Sequence, residues 1–154
     1  MLLKDYIPNI NKKFGNIFFS GISFNSSKVK KNNIFFAIKG NKIDGNNFIS
    51  IAIKKGSKII ITEKKNKEFQ NGILFIHTKN IRKLLSEVSF KIFNRIPKNL
   101  IAVTGTNGKS SIADFYYQIL KFNNKRVASI GTLGVKSNSL NLDLSNTTID
   151  PIQL

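Results

Sequence analysis

"LIAVTGTNGKSSIADFYYQIL", residues 100–120, decides how this chain is read. Leu100–Val103 is short and apolar, as a central strand of a parallel sheet is. A small polar corner follows, with Gly105, Gly108 and Lys109 in it. Beyond the corner, Ile112, Phe115, Tyr116, Ile119 and Leu120 recur at i, i+3, i+4, i+7 and i+8, the spacing of one apolar helix face. "KRVASIGTLG", residues 125–134, then supplies another strand and a glycine turn. Strand, corner, helix and strand make a β-α-β unit, so an α/β fold with a doubly wound parallel sheet is expected here, its ligands at the carboxyl ends of the strands.

The corner invites a phosphate. The strict loop pattern GxxxxGK[ST] requires a first glycine where Val103 stands, so that pattern fails. The underlying physics does not depend on that residue. Gly105 and Gly108 let main-chain amides approach an anion, the helix N-terminus adds partial positive charge, and Lys109 brings a mobile cation. Ser110 offers a hydroxyl to Mg²⁺. The competing reading is a plain strand-to-helix turn capped by serine with Lys109 in solvent. The flanking strand and helix favour the phosphate reading.

Working outward, residues 16–24 and 33–38 have strand character, and "KGNKIDGNN", residues 39–47, is rich in turn formers. Phe48, Ile49, Ala52 and Ile53 share a helical face that Gly56 stops. Residues 58–62 and 72–77 are buried-strand patterns, and Ile81, Leu84, Leu85, Val88 and Ile92 mark a helix laid on a sheet. Pro97 breaks the pattern. The expected organisation is a small α/β unit over 1–97 and the start of a nucleotide-binding domain over 98–154.

Composition narrows the function. With no cysteine and His77 as the sole histidine, disulfides, thiolate zinc sites and Cys/His nucleophile pairs are excluded, and a metal must be held by oxygen. No apolar run reaches the roughly 20 residues that cross a bilayer, and Lys4, Asp5 and Pro8 interrupt any leader-like segment, so a cytoplasmic chain with no membrane role is expected. The net charge of +17 raises nucleic-acid binding. The lysines are dispersed beside turn residues, however, and accompany abundant asparagine and isoleucine, so no nucleic-acid partner is expected.

Residues 103–111, "VTGTNGKSS", resemble the nucleotide loop of the Mur ligases, the ATP-dependent amide ligases of peptidoglycan precursor synthesis. Residues 24–62 are similar to the N-terminal domain shared by the members adding the third amino acid and the terminal dipeptide. "IGTLG" (130–134) with "NTTIDPIQL" (146–154) resembles the branch that adds the third residue. Asn25, Ser26 and Ser27 stand where that family has Asp-Ser-Arg, and Ile149 and Gln153 replace a proline and a glutamate.

The resemblance implies specific roles. Gly105, Thr106, Asn107, Gly108, Lys109, Ser110 and Ser111 would bind ATP, with Lys109 catalytic and Ser110 on Mg²⁺. Phe24, Ser26, Asn41, Lys42 and Ile43 would hold the uridine diphosphate of the substrate, and Asn146, Thr147 and Thr148 its muramoyl-peptide part. The implied partners are UDP-N-acetylmuramoyl-dipeptide and an amino acid, joined through an acyl phosphate. Asp150 and Pro151 read as an N-cap and a first helical residue. The expectation is therefore a piece of a longer ligase, which alone turns nothing over. A terminal-dipeptide ligase, a folylpolyglutamate-type ligase, and a nucleic-acid or UDP-sugar binding module are the alternatives.

Overall fold

The computed structural model describes residues 1–40, 43–94, 97–143 and 152. The chain divides into two compact units, Met1–Arg95 and Ile96–Leu154.

In the first unit, α1 (Leu3–Tyr6) is a single turn, followed by β1 (Gly21–Ser23), β2 (Asn33–Phe36), α2 (Ile49–Lys54), β3 (Ile59–Thr62), β4 (Phe69–Gln70), β5 (Ile73–His77) and α3 (Ile81–Phe93). The sheet order is β1-β2-β3-β5-β4. β1, β2, β3 and β5 run parallel, and β4 is an antiparallel edge. The apolar runs explain this arrangement, because strands covered on both faces are hydrophobic throughout. All four residues of β2 and of β3 are buried. In register, Phe35 faces Ile60 and Ile60 faces Phe75. Phe35, Ala37, Ile60 and Ile73 cluster with Val29 and Ala52 and pack against Phe48, Ile49, Ile53 and Phe75. The intervening residues Ile34, Phe36, Ile59, Ile61 and Leu74 are equally buried and, by the two-residue period of a strand, face the other way.

α3 buries Ile81, Leu84, Leu85, Val88 and Ser89. Its first turn is capped twice: the Asn80 side chain accepts from the Lys83 N–H at 2.9 Å and Glu63 from that of Ile81 at 3.0 Å. The helix ends at Asn94, before Pro97, with that asparagine at φ 27°. The strand expected over 16–24 shortens to β1, because residues 17–19 bond instead to the N-terminus, with Phe19 N–H on the Met1 carbonyl at 2.9 Å.

The second unit holds α4 (Lys109–Phe122) and an antiparallel meander of β6 (Ala128–Gly131), β7 (Gly134–Ser137) and β8 (Asn141–Leu142). Two expectations are corrected here. Leu100–Val103 is not a strand, since it has no ladder partner among the described residues and an apolar segment without one gains nothing from the extended form. Leu100 is 84% exposed and Ile101 57%. Among the described residues the segment after α4 makes an antiparallel pair instead, because Thr132 and Leu133 form a two-residue turn that sends the chain back beside itself, pairing Gly131 with Gly134. The parallel sheet of this α/β chain is that of the first unit.

The apolar stripe of α4 is likewise uncovered, with Ile112, Phe115, Tyr116 and Ile119 exposed. The helix meets its hairpin on another face. Tyr117 is buried, its hydroxyl donating to the Ser137 carbonyl at 3.0 Å, and Lys136 pairs with Asp114 at 2.9 Å.

Candidate nucleotide and uridine-diphosphate sites

Gly108 is the N-cap of α4 and sits in the left-handed region at φ 75°, where a side chain would be strained. Among the described residues, no side chain caps this end of the helix. The first helical bond is Ile112 N–H to the Gly108 carbonyl at 2.9 Å. Among the described residues, none accepts a hydrogen bond from the main-chain N–H groups of Gly105 to Ser111. The corner is thus a run of unspent donors at the positive end of a 14-residue helix.

Lys109 does not extend into solvent. Its ammonium folds back over the corner, donating to the carbonyls of Gly105 and, at 3.0 Å, Thr106. Both acceptors are neutral, so an arriving phosphate offers the ammonium a stronger, charge-assisted partner. The side chains of Thr106, Asn107 and Ser111 are exposed, and none is hydrogen-bonded among the described residues.

Ser110 Oγ lies 3.1 Å from Oγ1 of Thr132, a residue the sequence reading left out. The "IGTLG" segment could have pointed to it, but spacing in one dimension does not say which hydroxyl the turn aims at the corner. A hollow of about 20 Å³, the scale of one water, is lined there by Ser110, Asp114, Gly131, Thr132 and Lys136 among others. Asp114 is already engaged. Its carboxyl is held below its ordinary range by Lys136 first and Gln118 second, the latter donating at 2.6 Å.

In the first unit, Phe24 and Ser26 follow β1, and the turn carrying Ile43 follows β2, its paired neighbour, so both lie at the carboxyl edge of a parallel sheet. Phe24 and Ser26 are half-buried, and Ile43 is exposed. Asn25 organises the Ser26–Lys28 turn by accepting from the Ser27 N–H at 2.9 Å, and the Lys55 ammonium donates to the Ser27 carbonyl. At the second loop, Gly40 N–H bonds the Ile43 carbonyl at 2.9 Å and Gly45 N–H that of Ile38 at 2.9 Å. Asn41, Lys42, Asn146, Thr147, Thr148, Asp150 and Pro151 lie outside the described residues.

Asp44 fastens this loop. It accepts from the Asn46 N–H at 2.8 Å and from the Asn46 amide at 2.7 Å, and lies 3.4 Å from the Lys64 ammonium. These bonds, Asn46 first, lower its pKa from the ordinary 3.8. A depressed carboxyl contributes stability above its unfolded pKa and loses it as pH falls through the folded one. The melting-temperature gap between wild type and Asp44→Asn is therefore expected to be full at neutral pH and to close below about pH 4. A gap independent of pH would contradict the assignment.

A glycine corner with open amides before a helix, and one lysine bent over that corner, make an arrangement suited to an anion. The chain belongs to the Mur ligase family: residues 19–99 match the model described as "Mur ligase family, catalytic domain" and residues 103–154 that of the "Mur ligase middle domain". It is 40% identical over 146 residues to the UDP-N-acetylmuramoyl-L-alanyl-D-glutamate--2,6-diaminopimelate ligase of Rickettsia prowazekii (strain Madrid E), covering 92% of this chain and 30% of the relative. The protein of that name from Wigglesworthia glossinidia brevipalpis is 39% identical over 142 residues, covering 86% of this chain and 28% of its own length. A solved structure of a ligase of that name superposes with a TM-score of 0.76 at 23% identity over 99% of this chain and 31% of its own. The MurF ligase from Thermotoga maritima in complex with ADP gives a TM-score of 0.53 at 28% identity, over 68% of this chain and 23% of that one. The chain thus spans about 30% of the length of the first of these relatives.

Proposed function

We propose that the chain supplies two binding units of an ATP-dependent ligase that adds the third amino acid to UDP-N-acetylmuramoyl-L-alanyl-D-glutamate in peptidoglycan synthesis. The run of unpartnered amides under the Lys109 ammonium carries this reading. The 2,6-diaminopimelate ligases that match across most of this chain support it over the terminal-dipeptide and folylpolyglutamate alternatives.

Residues 1–97 hold the uridine diphosphate, through Phe24, Ser26 and the turn Asn41, Lys42 and Ile43, and residues 98–154 hold ATP, through Gly105 to Ser111. Asn146, Thr147 and Thr148 touch the muramoyl-peptide part. In the reaction, an oxygen of the substrate's glutamyl carboxylate takes the terminal phosphoryl group of ATP and ADP leaves. The incoming amine attacks the acyl phosphate, loses a proton and expels phosphate. The corner amides fix the phosphate chain, and the Lys109 ammonium offsets charge spreading over the transferred group. Ser110, a hydroxyl in the first turn of α4 directly after Lys109, fits Mg²⁺, which keeps much of its water and takes few protein oxygens beside phosphates. When bound, Mg²⁺ adds positive charge at the phosphates. No group of three or more His, Cys, Asp or Glu stands ready for a metal among the described residues, and Asp114 is committed to Lys136. No helix among the described residues is long and apolar enough to cross a membrane. The proposed setting is the cytoplasm.

Calorimetric titration tests the assignment. ADP with Mg²⁺ and UDP are each expected to bind saturably and without competing, while a DNA duplex binds weakly. Indifference to both nucleotides, with duplex affinity falling steeply as salt rises, would support a nucleic-acid module instead.

A further inference from the structure

A serine hydroxyl in the first turn of a helix has a free rotor, and whether its lone pairs face a ligand depends on where its proton goes. In this chain one built partner is present. Thr132 Oγ1 stands 3.1 Å from Ser110 Oγ, reached across 22 positions of sequence. Its place is fixed from several sides. Thr132 occupies the two-residue turn between β6 and β7, closed by the Gly131–Gly134 pair. Gly134 sits at φ 85°, and a Cβ there would clash with the Leu142 carbonyl oxygen, so the turn is pressed against β8. The Lys136–Asp114 and Tyr117–Ser137 contacts tie the hairpin to α4 itself. Threonine is β-branched and has few rotamers to spare. The bond is solvent-exposed, where a hydrogen bond between two hydroxyls adds little to stability, so holding the helix to the hairpin is a weak reason for it.

We infer that Thr132 is a positioning residue: it accepts the Ser110 hydroxyl proton and so turns the Ser110 oxygen lone pairs toward the Mg²⁺ of a bound nucleotide. This rests on the nucleotide reading of the corner. Ligation of a cation withdraws electron density from Ser110 Oγ and strengthens its O–H as a donor, so the bond to Thr132 tightens when the metal arrives. Outer partners of this kind commonly set metal affinity by about 10- to 100-fold.

The test is ADP affinity of the full chain with excess Mg²⁺ and with EDTA, for wild type, Thr132→Val, Thr132→Ser and Ser110→Ala. Wild type is expected to bind more tightly with Mg²⁺. Thr132→Val, which keeps the branched shape and loses the hydroxyl, should lose most of that Mg²⁺-dependent gain, about 10-fold, with its EDTA affinity and melting temperature unchanged. Thr132→Ser should behave as wild type, and Thr132→Val should add nothing in a Ser110→Ala background. A Thr132→Val chain that retains the full Mg²⁺ gain, or weakens equally in EDTA, overturns the inference while leaving the nucleotide reading in place. Wild type that binds no ADP at all removes the nucleotide reading, and this inference with it.

Discussion

Lys109→Ala is expected to weaken ADP binding roughly 100-fold, the scale of one charge-assisted hydrogen bond converted to affinity, while leaving the fold intact. The argument is local. The ammonium already rests on the corner, bonded to the Gly105 and Thr106 carbonyls, so it is held where the proposed site places the phosphate chain and little ordering is left to do on binding. Its removal deprives those carbonyls of a donor, but the corner is exposed and water replaces it, so the melting temperature should hold. Lys109→Arg is expected to be intermediate, since a planar guanidinium cannot follow the same compact path over the corner. ADP titration in Mg²⁺ decides between these outcomes. An alanine variant that binds ADP as wild type does would mean that the ammonium only closes the turn.

Legibility in the sequence followed how local each signal was. β2 and β3 could be read because they are short apolar runs buried on both faces, β5 because its apolar run is buried at its start, and α3 because its apolar spacing matched a helix face that is in fact covered. The edge hairpin of β4 and β5 escaped, although Asn71 and Gly72, at φ 52° and 77°, are the turn pair that favours it. For α4 the same spacing identified the helix but not the face that packs, since periodicity says that a stripe exists and cannot say that anything lies on it. Leu100–Val103 failed for a related reason: strand propensity becomes a strand only with a partner. At the candidate site, Gly105 to Ser111 could be singled out because its glycines, lysine and serines are contiguous in sequence. Thr132 and the Asp114–Lys136 pair could not, because folding alone brings residues some 20 positions apart into contact.

Gly45→Ala should produce the largest loss in the first unit, about 3 kcal/mol of stability together with an at least 10-fold weaker affinity for UDP. A Cβ on Gly45 would lie 2.5 Å from the Ile38 carbonyl oxygen, 2.7 Å from its nitrogen and 3.0 Å from the Ala37 carbonyl carbon. All three are main-chain atoms, so no side chain can rotate away. Nor can the backbone retreat freely: Ala37 is buried and its N–H holds the Ile61 carbonyl at 2.9 Å, so yielding there pulls at the sheet. The Lys39–Asp44 bridge and Ile43 beside it, one of the residues assigned to the uridine diphosphate, must shift with it. Gly72→Ala supplies the contrast. Its φ is 77° but nothing lies within 4 Å, so only the conformational cost of about 1 kcal/mol applies, and UDP affinity should be unaffected. Urea unfolding and UDP titration of the two variants separate close approach from backbone preference. Equal losses at both positions would show that the contact with Ile38 does not set the loop.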